Sequence, residues 1–466
     1  MRKPILKLSV IILIILIPVF FKHFTGLSFK EDYRCKNCNL IVIGIDTLRA
    51  DHLGAYGYYR NITPNIDEFA MQGILFKNTF SHSSSTLPSF ATLFTSLYPT
   101  QHKAQIKNFI RPLDEKHTTL AEILKGNGYK NAAFVGDGQL DYNFGLSQGF
   151  DIYEGNSCLY ERNDIYEDKC LEESIDNALK WVKGNKDEKF FLFFHSYVTH
   201  HPYMLPNEKY LISEDDNISK DYPIINDPMF ISVELLNKIN SGELAIDDRL
   251  RDYIVDVYDG AILYMDQGIG YFLKEIENMD LMNDTLIIFI SDHGEEFMEH
   301  GIIGWHGHTL YDELIHVPFV LRGPELKRNV VDKEVRLIDI MPTLLSILDI
   351  KANKNFEGID IMNYIDEKDN VLIFSALEYD SSNKPVKIAV REGNFKLIYN
   401  FLNKKFELYD LSKDKKEMND LSNVNKKKVN ELKVKLFEWY DATDYKVEDK
   451  LDTVTIAKLK SLGYMQ

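Results

Sequence analysis

Asn39-Leu-Ile-Val-Ile-Gly-Ile45 is an almost unbroken apolar, β-branched run, and it ends directly on Asp46. A strand that is apolar at successive positions is covered on both faces, as in the middle of a parallel sheet. Residues 132–135, 190–194 and 285–290 repeat the pattern. Helical spacing alternates with these strands. Residues 119–126 open on a Thr suited to capping, and 174–182 and 250–276 are amphipathic. Strands alternating with helices predict an α/β fold with a mostly parallel central sheet flanked by helices on both faces.

The character changes after about Ile361. Residues 371–375, 387–391, 396–399 and 406–409 are short strand-like pieces separated by Gly, Asn, Lys and Asp. They predict a small antiparallel sheet, followed by a charged helix over 426–440 and a terminal helix ending in Leu462, Gly463 and Tyr464. The chain accordingly divides into a stem at 1–38, a catalytic domain at 39–365 and a C-terminal α+β subdomain at 366–466. Residues 202–250 are polar and aromatic, a long loop expected to cover a site.

The 466 residues, 45% hydrophobic and 12% aromatic, suffice for a large core plus a smaller one. A formal charge of −17 disfavours nucleic acid, which an acidic protein repels. An anionic small substrate stays possible, because a metal ion can reverse the field locally.

Arg2, Lys3 and Lys7 precede an uncharged apolar run over 8–21, and Lys22 follows it. This predicts a signal anchor that holds the chain in the membrane facing the extracytoplasmic side, with secretion after signal cleavage as the alternative. Export suits the cysteines, Cys35 with Cys38 and Cys158 with Cys170, as two local disulfides. A zinc site at the CxxC would need two further ligands nearby, and the sequence offers none.

In open α/β sheets, ligand-binding groups gather at strand C-termini. Two of the strongest strands end in acidic residues there: 39–45 on Asp46, and 285–290 through Ser291 on Asp292-His293-Gly294-Glu295. One such Asp is usually a helix cap. Asp46, Asp292 and His293 together suit a divalent cation, since carboxylates and imidazole make a hard-to-borderline site. The stretch 83–96, SSSTLPSFATLFTS, reads alone as a capped helix start.

The wider pattern is specific. Gly44-Ile-Asp-Thr-Leu-Arg-Ala-Asp-His-Leu-Gly54, then Tyr56-Gly57 and Thr63-Pro-Asn-Ile-Asp67, resembles the opening of a sulfatase-type domain of the alkaline phosphatase superfamily. The likeness continues through Thr86-x-Pro88-Ser89, Tyr98-Pro99, His102, the segment ending His200-His-Pro-Tyr203, SDHGEE at 291–296, His306-Gly-His308 and RLIDIMPT at 336–343. It implies an alkaline-phosphatase-like fold and a metal-dependent hydrolase or transferase. It also implies Thr86 as nucleophile and fourth ligand to one divalent metal (Mn, Zn, Mg or Ca) beside Asp46, Asp292 and His293. His200 and His306 would assist the leaving group, and His200, His306, His308 and Arg49 would contact substrate. His201 would be a mere neighbour, His102 structural, and Glu295 and Glu296 would orient the metal loop.

The departures bear on the chemistry. Formylglycine sulfatases carry Cys or Ser two residues before the Pro and Arg two after it; here Thr86 and Phe90 stand there. Oxidation of a Thr gives a ketone, not an aldehyde. Thr47 replaces a second Asp after the strand. A Thr nucleophile is similar to that of the phosphoethanolamine and glycerophosphate transferases and nucleotide phosphodiesterases of the superfamily. Three readings follow. One is a phosphoryl hydrolase or transferase, one a sulfuric ester hydrolase working without formylglycine, and one a binding protein of the same fold. The substrate would be a phosphate or sulfate ester, such as a lipid headgroup or a surface glycan.

Overall fold

A computed structural model describes residues 33–443 apart from 107–109, 137, 157–169, 325, 352–355, 368–369, 378 and 381–383. The apolar run at 8–21, Cys158 and the terminal helix near Tyr464 lie outside the described residues. Among the described residues no helix is long and apolar enough to cross a membrane.

Eight strands form the central sheet: β1 (Asn39–Ile45), β2 (Ile74–Phe80), β3 (Lys130–Gly136), β4 (Ile152–Asn156), β5 (Phe190–Ser196), β6 (Thr285–Ser291), β7 (His316–Arg322) and β8 (Asn329–Arg336). Their order is β8-β2-β7-β6-β1-β5-β3-β4, and β1 lies between β6 and β5. All pairings are parallel except those of β7, which runs antiparallel to both β2 and β6. The mostly parallel sheet expected from the sequence is the sheet observed.

Every residue of β1, β5 and β6 is buried. Side chains alternate across a strand, so Ile41, Ile43 and Ile45 enter the core on one face and Leu40 and Val42 the core on the other. The first face is covered by α1 (Pro64–Gln72), α4 (Cys170–Asn185) and the 31-residue α5 (Asp248–Asn278). The second is covered by α2 (Thr86–Thr95), α3 (Leu120–Gly126) and α6 (Ile340–Ile347). Thr119 caps α3 as expected: its hydroxyl accepts from the Glu122 backbone N–H, and the Glu122 carboxylate accepts from the Thr119 backbone N–H.

Gly44 sets how closely α2 approaches β1. A Cβ there would lie 2.9 Å from the Phe90 ring, so only glycine admits that ring against the strand. This contact fixes the helix whose first residue is Thr86.

Four antiparallel strands, β9 (Leu372–Ala376), β10 (Lys387–Glu392), β11 (Phe395–Asn400) and β12 (Lys405–Asp410), form the second sheet. The helix α7 (Lys426–Thr443) closes it, with Trp439 stacked on Phe374 at 4.8 Å between ring centroids. This matches the C-terminal antiparallel sheet read from the sequence. Residues 202–250 are more ordered than the long loop expected. Tyr203–Met204 pair with Phe230–Ile231, and Val233–Asn240 is a helix capped by Ser232. Buried Tyr203, Leu205, Ile231 and Leu236 hold the segment to the core.

Candidate active site

The register of β1 against its neighbours assembles the site. Ile45 pairs with Ser196 on one side and Ser291 on the other. The residues that follow therefore emerge together at the C-terminal edge of the sheet. Asp46 leaves β1, and Asp292 and His293 leave β6. All three are buried, as is Thr86 at the start of α2. One ligand atom from each of Asp46, Asp292 and His293 lies within 4.8 Å of those of the other two.

Hydrogen bonds fix how these groups face each other. Nδ1 of His293 lies 2.9 Å from the Gly294 carbonyl oxygen, so it carries the proton and Nε2 carries a lone pair. That lone pair faces Asp292 Oδ2 at 3.4 Å and Asp46 Oδ1 at 3.9 Å. Thr86 Oγ1 stands 3.2 Å from Asp46 Oδ2 and 3.3 Å from His293 Nε2. Asp46 Oδ1 and Asp292 Oδ2 are buried and accept no hydrogen bond. Orphaned carboxylate oxygens facing an imidazole lone pair repel one another unless a cation lies between them. The donor set thus fits a divalent metal held by Asp46, Asp292, His293 and Thr86. Without a cation, burial first and then Asp292 push Asp46 well above the usual carboxylate range, against donation from Thr86.

Thr47 stands where the resemblance led us to expect a second Asp. Its φ is 51°, in the left-handed region that β-branched residues rarely enter. Its hydroxyl donates to the Thr199 carbonyl at 2.8 Å and its backbone N–H to Asp292 Oδ1 at 3.3 Å. The position therefore orients Asp292 through the backbone and sends its side chain elsewhere.

Beside His293, with 4.4 Å between ring centroids, stands His306. His200 and His201 complete a second group, one ring nitrogen of each of the three lying within 4.8 Å of the others. Two further residues expected at the substrate, Arg49 and His308, are held by acidic side chains. The Arg49 guanidinium grips Asp51 through two hydrogen bonds of 2.8 and 2.9 Å, Glu299 at 2.7 Å and the Glu295 carbonyl at 3.0 Å. Those partners engage its fork and tie Arg49 to the segment that follows β6. His308 is held through Nε2 by Glu296 at 2.7 Å, whose other oxygen accepts from the His300 and Ile302 backbones. His102 accepts from the Ala104 N–H at 3.0 Å and pairs with Thr92, a structural part.

Two residues at the site escape a sequence reading based on motifs. His195 is fully buried near the end of β5, with Nε2 3.6 Å from Asp46 and its ring edge-on to Phe90. A single His closing the apolar run FFLFF was the available signal. His201 belongs to the second cluster as fully as His200 does, and adjacency alone gave no sign of it.

Residues 38–350 match the family model described as Sulfatase, and residues 299–443 match N-sulphoglucosamine sulphohydrolase, C-terminal. The chain belongs to the sulfatase family. One relative is an ulvan-active sulfatase of Formosa agariphila, 27% identical over 71% of this chain. The chain spans 65% of that relative's length. Among solved structures, the phosphonate monoester hydrolase of Agrobacterium radiobacter superposes with a TM-score of 0.70 at 20% identity, covering 88% of this chain and 96% of its own. A protein solved with its substrate D-glucosamine-2-N,6-O-disulfate superposes with a TM-score of 0.68 at 19% identity, covering 88% and 99%. At such identity these two neighbours establish the fold shared by this sulfatase-family chain.

Proposed function

We propose that this chain cleaves anionic esters, phosphate esters first, through a covalent intermediate on Thr86. The observation that carries the reading is the Thr86 hydroxyl held 3.2 Å from Asp46 and 3.3 Å from His293, in a buried set whose orphaned oxygens suit a cation. A divalent ion, when bound by Asp46, Asp292, His293 and Thr86, supplies Lewis acidity that favours the ionised hydroxyl and charge on the ester oxygens. Thr86 Oγ1 passes its proton along its hydrogen bond to Asp46 Oδ2 and attacks phosphorus in line. A phospho-Thr86 forms as the bond to the leaving group breaks, and that proton is returned to the leaving oxygen, which departs as an alcohol. Water, or an acceptor hydroxyl in a transferase, then releases the phosphoryl group. His200 and His306 are assigned to the ester side of the site. The residues around Thr86 exclude bulk water, which strengthens every charge interaction there.

Sulfate ester hydrolysis is the second reading, favoured by the family match and by a relative named for sulfatase activity. The apolar run at residues 8–21 leads us to propose further that the chain is exported, anchored or cleaved, and meets a surface glycan, a lipid headgroup or a free ester there. The test is peptide mass spectrometry of metal-loaded protein given aryl phosphate, phosphonate and sulfate esters separately. One added phosphoryl group on the Thr86 peptide, absent in Thr86→Ala, is the expected result. An unmodified Thr86 with turnover of sulfate esters alone would overturn the phosphoryl mechanism and leave the sulfatase reading in place.

A further inference from the structure

From Lys404 to Lys435 the chain carries ten lysines, no arginine and six acidic residues, although its formal charge overall is −17. This stretch holds β12, the loop after it and the first half of α7. β12 is the edge strand of the second sheet, paired with β11 alone. The loop before α7 lies along it, with the Leu421 N–H donating to the Leu408 carbonyl at 2.7 Å. α7 then runs back past it. Lys433 Nζ stands 5.4 Å from the centre of the Phe406 ring, and Tyr440 meets Phe401 at 5.3 Å between centroids. The basic residues therefore lie along one seam on the scale of α7, whose 18 residues span about 27 Å.

The acids of the seam are turned to internal tasks. Glu417 is buried against Lys396 at 3.0 Å, and Glu407 accepts from Tyr311 and Tyr409. Asp410, Asp414 and Asp420 accept from backbone N–H groups, and Glu431 pairs with Lys428 at 2.7 Å. By contrast, Lys404, Lys405, Lys415, Lys416, Lys427 and Lys433 are exposed, and none has an acidic partner among the described residues. The same seam exposes apolar side chains. Eleven large apolar or tyrosine side chains are exposed among the described residues, and four of them stand here. These are Leu402, Met418, Val424 and Val434, between 56% and 79% exposed. Each stands within two residues of a lysine.

Lysines draw any polyanion, so the apolar residues decide the partner. A soluble anionic polymer offers nothing to Leu402 or Val424, and a second copy would bring like charge against like. A bilayer with anionic headgroups satisfies both. Its phosphates attract the ammonium groups, and the apolar side chains enter the boundary between headgroups and acyl chains. Lysine suits such diffuse contact, being a compact hydrated charge, whereas a fixed grip on one phosphate favours the arginine fork. We infer that the seam between β12 and α7 docks on an anionic lipid surface. The inference goes beyond the ester-cleaving reading and stands apart from the chemistry at Thr86.

The test is partitioning of the full-length protein onto phosphatidylcholine vesicles with and without phosphatidylglycerol. The apolar run at 8–21 is present in both arms, so the difference between the vesicles reads charge. Wild type should bind the anionic vesicles more strongly, by about fivefold for each docked lysine, with the gain fading as salt rises. The triple change Lys415→Gln, Lys416→Gln and Lys427→Gln leaves the basic N-terminus intact and should cut that gain by at least about tenfold. Pulsed amine acetylation read by peptide mass spectrometry locates the contact on wild type itself. Lys404, Lys416 and Lys433 should be protected on anionic vesicles, while exposed Lys274 of α5 reacts as it does in free protein. Equal partitioning onto both vesicles, or an unchanged gain in the triple variant, would overturn the inference. Protection of the same lysines by dextran sulfate but not by vesicles would overturn it in favour of a soluble anionic polymer. Low reactivity of these lysines in the free protein would overturn it too, because the seam would already be covered.

Discussion

The hydroxyl of Thr86 lies 3.3 Å from Nε2 of His293, although 207 residues separate them along the chain. The α2 N-terminus and the end of β6 meet there because Phe90, one turn into α2, packs where Gly44 leaves room on β1. A primary hydroxyl can occupy the same place, since Ser differs only by the methyl group. Thr86→Ser should therefore keep turnover within about tenfold, and Thr86→Ala should lower kcat by at least about 10^3-fold, as loss of a nucleophile does. Steady-state rates on an aryl phosphate check this. Equal activity in Thr86→Ala and wild type would exclude Thr86 as the attacking group.

Gly294 is irreplaceable for a steric reason. A Cβ there would stand 2.0 Å from the Glu313 carbonyl oxygen, a backbone atom with little freedom to move. Its N–H also donates to the Leu314 carbonyl at 2.8 Å, and its own carbonyl accepts from His293. Gly294→Ala should displace His293 and Glu295 together. A misplacement of about 1 Å costs roughly 10^2-fold in rate, so kcat should fall by that order and Tm should drop. Exposed Gly184, in α4 with nothing within 4 Å of its virtual Cβ, is the control. Gly184→Ala should gain about 0.5–1 kcal/mol, the ordinary helix preference. Matching melting curves for the two variants would refute the steric argument.

How much of this was legible in the sequence depends on the range of the interactions. The strands β1, β5 and β6 announce themselves because burial on both faces demands a continuous apolar run, and Asp46, Asp292 and His293 stand where such runs end. The second sheet was legible from its short strands and polar turns. What the sequence left hidden shares one cause: it concerns partners brought in by the fold. Arg49 stands close to Asp51 in sequence, but Glu299, 250 residues away, also takes part of its guanidinium. His308 is drawn to Glu296, and His201 joins His306 through Glu295. None of these pairings leaves a periodic trace. The segment 202–250 reads as a loop because its strands are two residues each, too short for any alternation to register.

Lys396 links the second sheet to the segment just before β7. Its ammonium is buried and lies 2.7 Å from Asp312 and 3.0 Å from Glu417, while Arg391 binds the other Asp312 oxygen at 2.6 Å. Removing one partner of a buried set leaves uncompensated charge, at about 3–5 kcal/mol. Lys396→Met should lose stability of that order in urea unfolding. Lys413, an 81% exposed partner of Asp410, should lose less than about 1 kcal/mol on the same change. Similar midpoints for the two variants would mean that the buried cluster adds nothing to stability.

Glu313 makes stability depend on pH. Burial, with a smaller push from Glu417, raises its carboxyl from an ordinary 4.5 to about 8, and its side chain is only 7% exposed. His300 Nε2 stands 3.4 Å from its Oε1, and burial lowers that imidazole too. Below pH 4.5 the carboxyl is protonated in both folded and unfolded chains, so it contributes no slope. Between 4.5 and about 8 the folded chain keeps the proton that the unfolded chain releases, so stability falls as pH rises. Each unit of difference is worth about 1.4 kcal/mol before relaxation reduces it. Glu313→Gln keeps the shape and removes the titration. Its Tm should lie above that of wild type at pH 8, with a flatter profile down to pH 5. Parallel Tm profiles for the two proteins across that range would show that Glu313 is already ionised in the folded chain.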